Sequence, residues 1–115
     1  MGQTIKYPYS DLISGYVKTT DFDKGVFVME TSDGSEFTVK LTETTFAEMV
    51  RNLGEAFMDC TGTMKDMLLT GRFLYAYGVF YPEEGAPFEA KHLVFLGRSE
   101  RDYRFEQQDW WIKQI

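Results

Sequence analysis

Asp33-Gly34 is the stretch of this chain that most restricts its fold, because Asp-Gly between alternating runs is the strongest short-range hairpin signal. Before it, "VFVMETS" (26–32) is rich in β-branched and aromatic residues. After it, "SEFTVKLT" (35–42) sets Phe37, Val39 and Leu41 on one face and Glu36, Thr38 and Lys40 on the other. The register of the earlier run stays open: either Val28 and Glu30 or Phe27 and Met29 face solvent. Upstream, "LISGYVKTT" (12–20) alternates as a third strand, with Ile13 and Val17 inward and Tyr16 and Lys18 outward. Its interior Gly15 marks a bulge or a tight bend. "DFDKG" (21–25) joins it to the next strand as a turn, so the first three strands form a meander.

The period then changes. In "TTFAEMVRNLG", Phe46, Met49, Val50 and Leu53 fall at i, i+3, i+4 and i+7, one stripe of an α-helix. Thr45 and Glu48 have the spacing of a capping box and Gly54 suits the helix end. A second short helical piece starts at Thr63, with Met64, Met67 and Leu68 as its apolar side. The methionines here (Met49, Met58, Met64, Met67) suit core filling or an adaptable surface. After Gly71 the two-residue period returns. "RFLYAYGVFY" (72–81) has two apolar faces, Phe73, Tyr75, Tyr77, Val79 and Tyr81 against Leu74, Ala76, Gly78 and Phe80. Either set can be the inner one. "FEAKHLVFLG" (88–97) follows the loop "PEEGAP" as a fifth strand, "RSERDYR" (98–104) is a charged connector, and the pattern turns helical from about Glu106.

This order resembles the OB-fold, a five-stranded Greek-key barrel, here with one helix between the third and fourth strands and a C-terminal helix start. The residues that carry the resemblance are "SGYV", "DG" and "GRFLYAYGVFY…FEAKHLVFLG", within 11–97. Another small barrel, or a sheet with one covering helix, fits the same elements. The expected division is a mostly β domain over 1–105, with 106–115 starting a helix or a linker to a further domain.

Composition narrows the function. A chain of 115 residues suits one domain. Twelve Lys and Arg against 18 Asp and Glu leave a net charge of −6, which weighs against nucleic acid. A single cysteine allows no intrachain disulfide and suits a reducing compartment. The N-terminal residues lack a signal-peptide apolar core and no apolar run approaches a membrane span, so a cytoplasmic location without membrane contact is expected.

OB-fold resemblance implies a ligand face on the second and third strands, for oligonucleotides or oligosaccharides. Tyr16, Lys18 and Lys40 are the candidates there, opposed by Glu36 on the same face and by Glu83 and Glu84 in the nearby loop. No catalytic residue, metal set or cofactor site is expected. His92, the one histidine, shares a strand face with Phe88, Ala90, Val94 and Leu96, as a core or rim residue would. Cys60 has no neighbouring base or CxxC partner.

The aromatic residues point instead to an interface. Tyr75, Tyr77 and Tyr81 lie on one alternation face, beside Leu93 and Phe95 of the last strand, and form an apolar patch if that face is outside. Phe105, Trp110, Trp111, Ile112 and Ile115 are candidates to cover it, with Trp111 and Ile115 at helical i, i+4 spacing. "FLYAYGVFYPEEGAPFEAKHLVFLGR…FEQQDWWIKQI" also resembles the head segment of certain bacterial proteins, in which an OB-like domain precedes an α/α-barrel of the N-acylglucosamine 2-epimerase type. That resemblance implies an accessory module whose catalytic residues lie elsewhere. The function expected is therefore a non-catalytic interaction module that meets a downstream domain or a second copy. Single-stranded nucleic acid and carbohydrate are the alternative ligands.

Overall fold

The computed structural model describes residues 7–50 and 56–96, and within them the chain is mostly β. Seven strands form one sheet there: β1 (Tyr9–Asp21), β2 (Val26–Glu30), β3 (Glu36–Lys40), β4 (Phe46–Val50), β5 (Met58–Asp59), β6 (Phe73–Phe80) and β7 (Phe88–Leu96). A 3-10 turn at Thr61–Thr63 leads into a single-turn helix, α1 (Met64–Met67). The strand order is β3-β2-β1-β6-β7-β4-β5, with a further pairing between β3 and β7. Hydrogen-bonded pairs therefore run from β1 through β2, β3, β7 and β6 back to β1. Pairing is parallel where β7 meets β3 and β4, and antiparallel elsewhere.

The Asp-Gly signal marks the β2–β3 hairpin. Thr31 N donates to Ser35 O (2.9 Å) and Gly34 N to Thr31 O (3.0 Å), closing a loop in which Gly34 has φ +87°. A side chain at that φ would be strained, which is why glycine follows the aspartate. The Asp33 carboxylate accepts from the Thr31 hydroxyl and the Ser35 N–H, and these bonds hold its pKa down at about 2. Packing also settles the open register: Phe27 and Met29 are fully buried, so Val28 and Glu30 point outward.

The helix expected over Phe46–Leu53 is not formed across its first turn and a half, where Phe46–Val50 is strand β4. The same five residues satisfy both periods. As a strand, Ala47 and Met49 point into the core while Phe46 and Glu48 point out. Parallel pairing with His92–Leu96 of β7 supplies the backbone partners a helix would have made internally. The supposed capping residues serve the sheet instead. Thr45 is buried and its hydroxyl donates to Ala90 O (2.7 Å), and Glu48 accepts from His92. The short helix after Thr63 does form, and Met64, Met67 and Leu68 pack on or within the core. The C-terminal helix and the boundary at 105/106 lie outside the described residues.

β6 and β7 show which apolar set is inner. Leu74 and Ala76 are fully buried, so Tyr75 and Tyr77 face out. The register between the two strands shifts at Tyr77/Gly78: Tyr77 pairs with His92, but Gly78 pairs with Ala90, leaving Lys91 as the extra residue. This bulge corrects two sequence expectations. Phe88 and Ala90 point inward with Leu93 and Phe95, whereas His92 does not share their face. Leu93 and Phe95 consequently lie beside Ala76 and Leu74 on the inner face, in the core, and not on the face of the tyrosines.

Gly15 is likewise not at the bulge of its strand, since the β1–β2 register shift falls between Val17 and Thr19. Its role is close approach: a Cβ there would collide with the Glu30 carbonyl, and one at Gly78 with the Glu89 carbonyl. Gly78→Ala is therefore expected to destabilise the fold by about 1–3 kcal/mol in chemical denaturation. Gly62→Ala, where a Cβ meets nothing within 4 Å, should stay within about 0.5 kcal/mol of the parent. Thr45→Val, which leaves the Ala90 carbonyl without its hydroxyl donor, should cost about 1–3 kcal/mol by the same measurement.

Candidate functional site

The outward side chains of four adjacent strands form a continuous row. Leu12 of β1 pairs with Tyr77 of β6, Tyr77 with His92 of β7, and His92 with Phe46 of β4. Leu12, Tyr77 and Phe46 are 57%, 46% and 45% exposed, high values for large apolar side chains on paired strands. Phe46 stacks on the His92 ring, with centroids 4.1 Å apart and planes 16° from parallel. The ring's Nε2–H donates to Glu48 Oε1 (2.8 Å), since a carboxylate can only accept, and this bond ties β7 to β4.

Beside this row the surface closes over itself. Tyr16 meets Phe73 edge-on at 5.3 Å, and Phe73 meets Tyr75 edge-on at the same distance. Tyr16, Phe73 and Tyr75 are each half-buried as a result. On the outer face of these four strands the exposed apolar side chains thus lie along Leu12–Tyr77–His92–Phe46, while Tyr9, Phe57, Met58 and Leu69 are exposed elsewhere.

The expected site residues are not all brought together. Tyr75 and Tyr77 share the outer face, but Tyr81 lies past the far end of β6, where its hydroxyl donates to Glu89 Oε1 (2.9 Å). That bond raises the tyrosine's pKa. Lys91 also donates to Glu89 Oε1 (2.9 Å), and Lys91 first and Tyr81 second lower the pKa of the glutamate. Tyr16, Lys18 and Lys40, the candidate ligand face, are dispersed. Tyr16 packs on Phe73, Lys18 pairs with Glu36, and Lys40 lies opposite Glu89, lining a cleft of roughly 170 Å³ with Tyr81 and Glu83. Trp110, Trp111 and Ile115 lie outside the described residues.

Leu12, Phe46 and the His92–Glu48 pair are the residues that sequence reasoning missed. Leu12 has the same parity on its strand as Ser14 and Tyr16, which was a usable signal. Phe46 had no such signal once its segment was read as a helix.

A larger cleft, roughly 470 Å³, lies over Leu41, Thr42, Thr61, Gly62, Thr63, Met64, Lys65 and Asp66. It presents threonine hydroxyls, the Lys65 cation and the Asp66 carboxylate. Among the described residues no group of three or more His, Cys, Asp or Glu could hold a metal ion, and no helix is long and apolar enough to cross a membrane. No family model, curated protein or solved structure matches this chain, so neither the OB-fold resemblance nor the epimerase-type one has a matching relative behind it.

Cys60 is half-buried near β4, with its N–H donating to Ala47 O (2.8 Å). Burial first, and then the Asp59 carboxylate, push its thiol up to about 11, with Arg72 acting in the opposite direction. A raised folded-state pKa favours the neutral thiol, so its contribution to stability is present below 9.0 and lost as pH rises toward 11. Alkylation by iodoacetamide at neutral pH should therefore be severalfold slower than in the urea-unfolded chain, a rate comparison by mass spectrometry. Equal rates would show that the thiol is not shielded.

Proposed function

We propose that this chain is a non-catalytic, OB-fold-like interaction module whose outer row, Leu12–Tyr77–His92–Phe46, docks polypeptide of the same protein. The occupant is either a segment following β7 or a second copy. The OB-like part of the reading is supported by the circuit of pairings β1–β2–β3–β7–β6–β1, whose five members are the strands marked by alternation. In this reading β4 and β5 are an addition laid against the free part of β7's edge.

One observation carries the docking role: three large apolar side chains, each about half exposed, stand in register on paired strands. Rigid strands hold them in place, so binding costs little ordering, and aromatic side chains with one polar edge suit such contacts. The alternative ligands have less support. Lys18 and Lys91 each already hold a carboxylate, which weakens the cationic track that a single nucleic-acid strand needs. Tyr16 and Tyr75 pack around Phe73 instead of lining a groove for a sugar.

Tyr9 provides an internal reference, because it is 45% exposed against 46% for Tyr77 but stacks on Phe80 at another part of the surface. Hydroxyl-radical footprinting of the intact protein should label Tyr77 severalfold more slowly than Tyr9. Equal labelling of the two at every protein concentration would overturn the docking role.

A further inference from the structure

Resting on that docking role, we infer that its occupant is residues 105–115 of this chain, folded back over the row from the end of β7. Reach permits it. Leu96, the last residue of β7, pairs with Val50 at the end of β4. From there His92 is four residues back along the strand, about 13 Å, and β1 lies two strands across, about 10 Å. Residues 97–104 span up to about 26–29 Å when extended, enough to bring position 105 to any point of the row.

Length also agrees. The helical spacing of Trp111 and Ile115 implies a segment that, over 11 residues, is about 16 Å long. Three strand spacings, from β4 to β1, come to about 14 Å. A helix laid across the strands would thus cover Phe46, His92, Tyr77 and Leu12 in one pass. Its chemistry is complementary: Trp110, Trp111, Ile112 and Ile115 supply apolar area, and the indole N–H groups can donate to Glu48 or to the Tyr77 hydroxyl at the row. A segment of this length is too short to hold a helix alone and gains from such a surface.

Tethering favours this occupant over a second copy. A short linker holds the segment at an effective concentration in the millimolar range, whereas two copies each carry a net charge of −6 into their encounter.

The chain's two tryptophans are both in this segment, so tryptophan fluorescence reports on it alone. In the full chain, acrylamide should quench that emission severalfold less than it quenches a free tryptophan amide. Leu12→Ser combined with Tyr77→Ser should restore quenching, while Thr38→Ala on the outer side of β3 should leave it unchanged; circular dichroism confirms that each variant is folded. Conversely, Trp110→Ser with Trp111→Ser should raise hydroxyl-radical labelling of Tyr77 to the level of Tyr9, with the parent's protection independent of protein concentration. The inference is overturned, and the docking role kept, if quenching ignores the Leu12 and Tyr77 substitutions while Tyr77 protection grows with concentration, the signature of a second copy. Labelling of Tyr77 like Tyr9 in the parent at every concentration would overturn both.

Discussion

The hydrogen bond from the Thr45 hydroxyl to the Ala90 carbonyl stands where β7 passes from one neighbour to another. Along one edge, β7 pairs with β3 at Phe88 and Glu89, then with β4 from His92 to Leu96. Ala90 falls in the gap between the two ladders and is fully buried, so its carbonyl has no strand partner on that side and no access to water. A buried carbonyl left in that state would cost about 1–3 kcal/mol. Thr45 is itself held in place, since the Thr42 N–H donates to its oxygen (2.9 Å). The loop between β3 and β4 is thereby fixed to β7 at the handover.

The bulge on the opposite edge of β7 occurs at the same level. With Lys91 as the extra residue, the inward set changes from Phe88 and Ala90 to Leu93 and Phe95. His92 is turned to the outside at the level where β4 begins, and Phe46 stacks on it. The exposed row therefore follows from the handover: a regular β7 would have put His92 on the face of Phe88 and Ala90. Fold and candidate site are coupled through three residues, Ala90, Lys91 and His92.

Alternation made much of the architecture legible. β2 and β3 follow from "VFVME" and "EFTVK" around Asp33-Gly34, and β6 and β7 from their runs, with ends within a few residues of expectation. β4 was not legible, because Phe46, Ala47, Glu48, Met49 and Val50 suit a helical stripe as well as a strand with Ala47 and Met49 inward. Local propensity could not choose between them; the waiting edge of β7 did. The candidate site was legible in part. Tyr77 was marked by its strand face, but Leu12 and Phe46 come from elements 34 positions apart in the chain, and only pairing sets them in one row. Tyr16, Lys18 and Lys40 shared a face by alternation, and each meets a different neighbour: Phe73, Glu36 and the surroundings of Glu89.

By itself, the sequence determined the strand runs at 26–30, 36–40, 73–80 and 88–96, the hairpin at Asp33-Gly34 and a net charge of −6. These depend on neighbours in the chain or on composition, which a one-dimensional reading contains. Tertiary structure alone decided the fate of 46–50, the inner face of β6 and the outward turn of His92. Each of those depends on which backbone groups and core volumes remain free after distant strands have paired, and no local pattern records that.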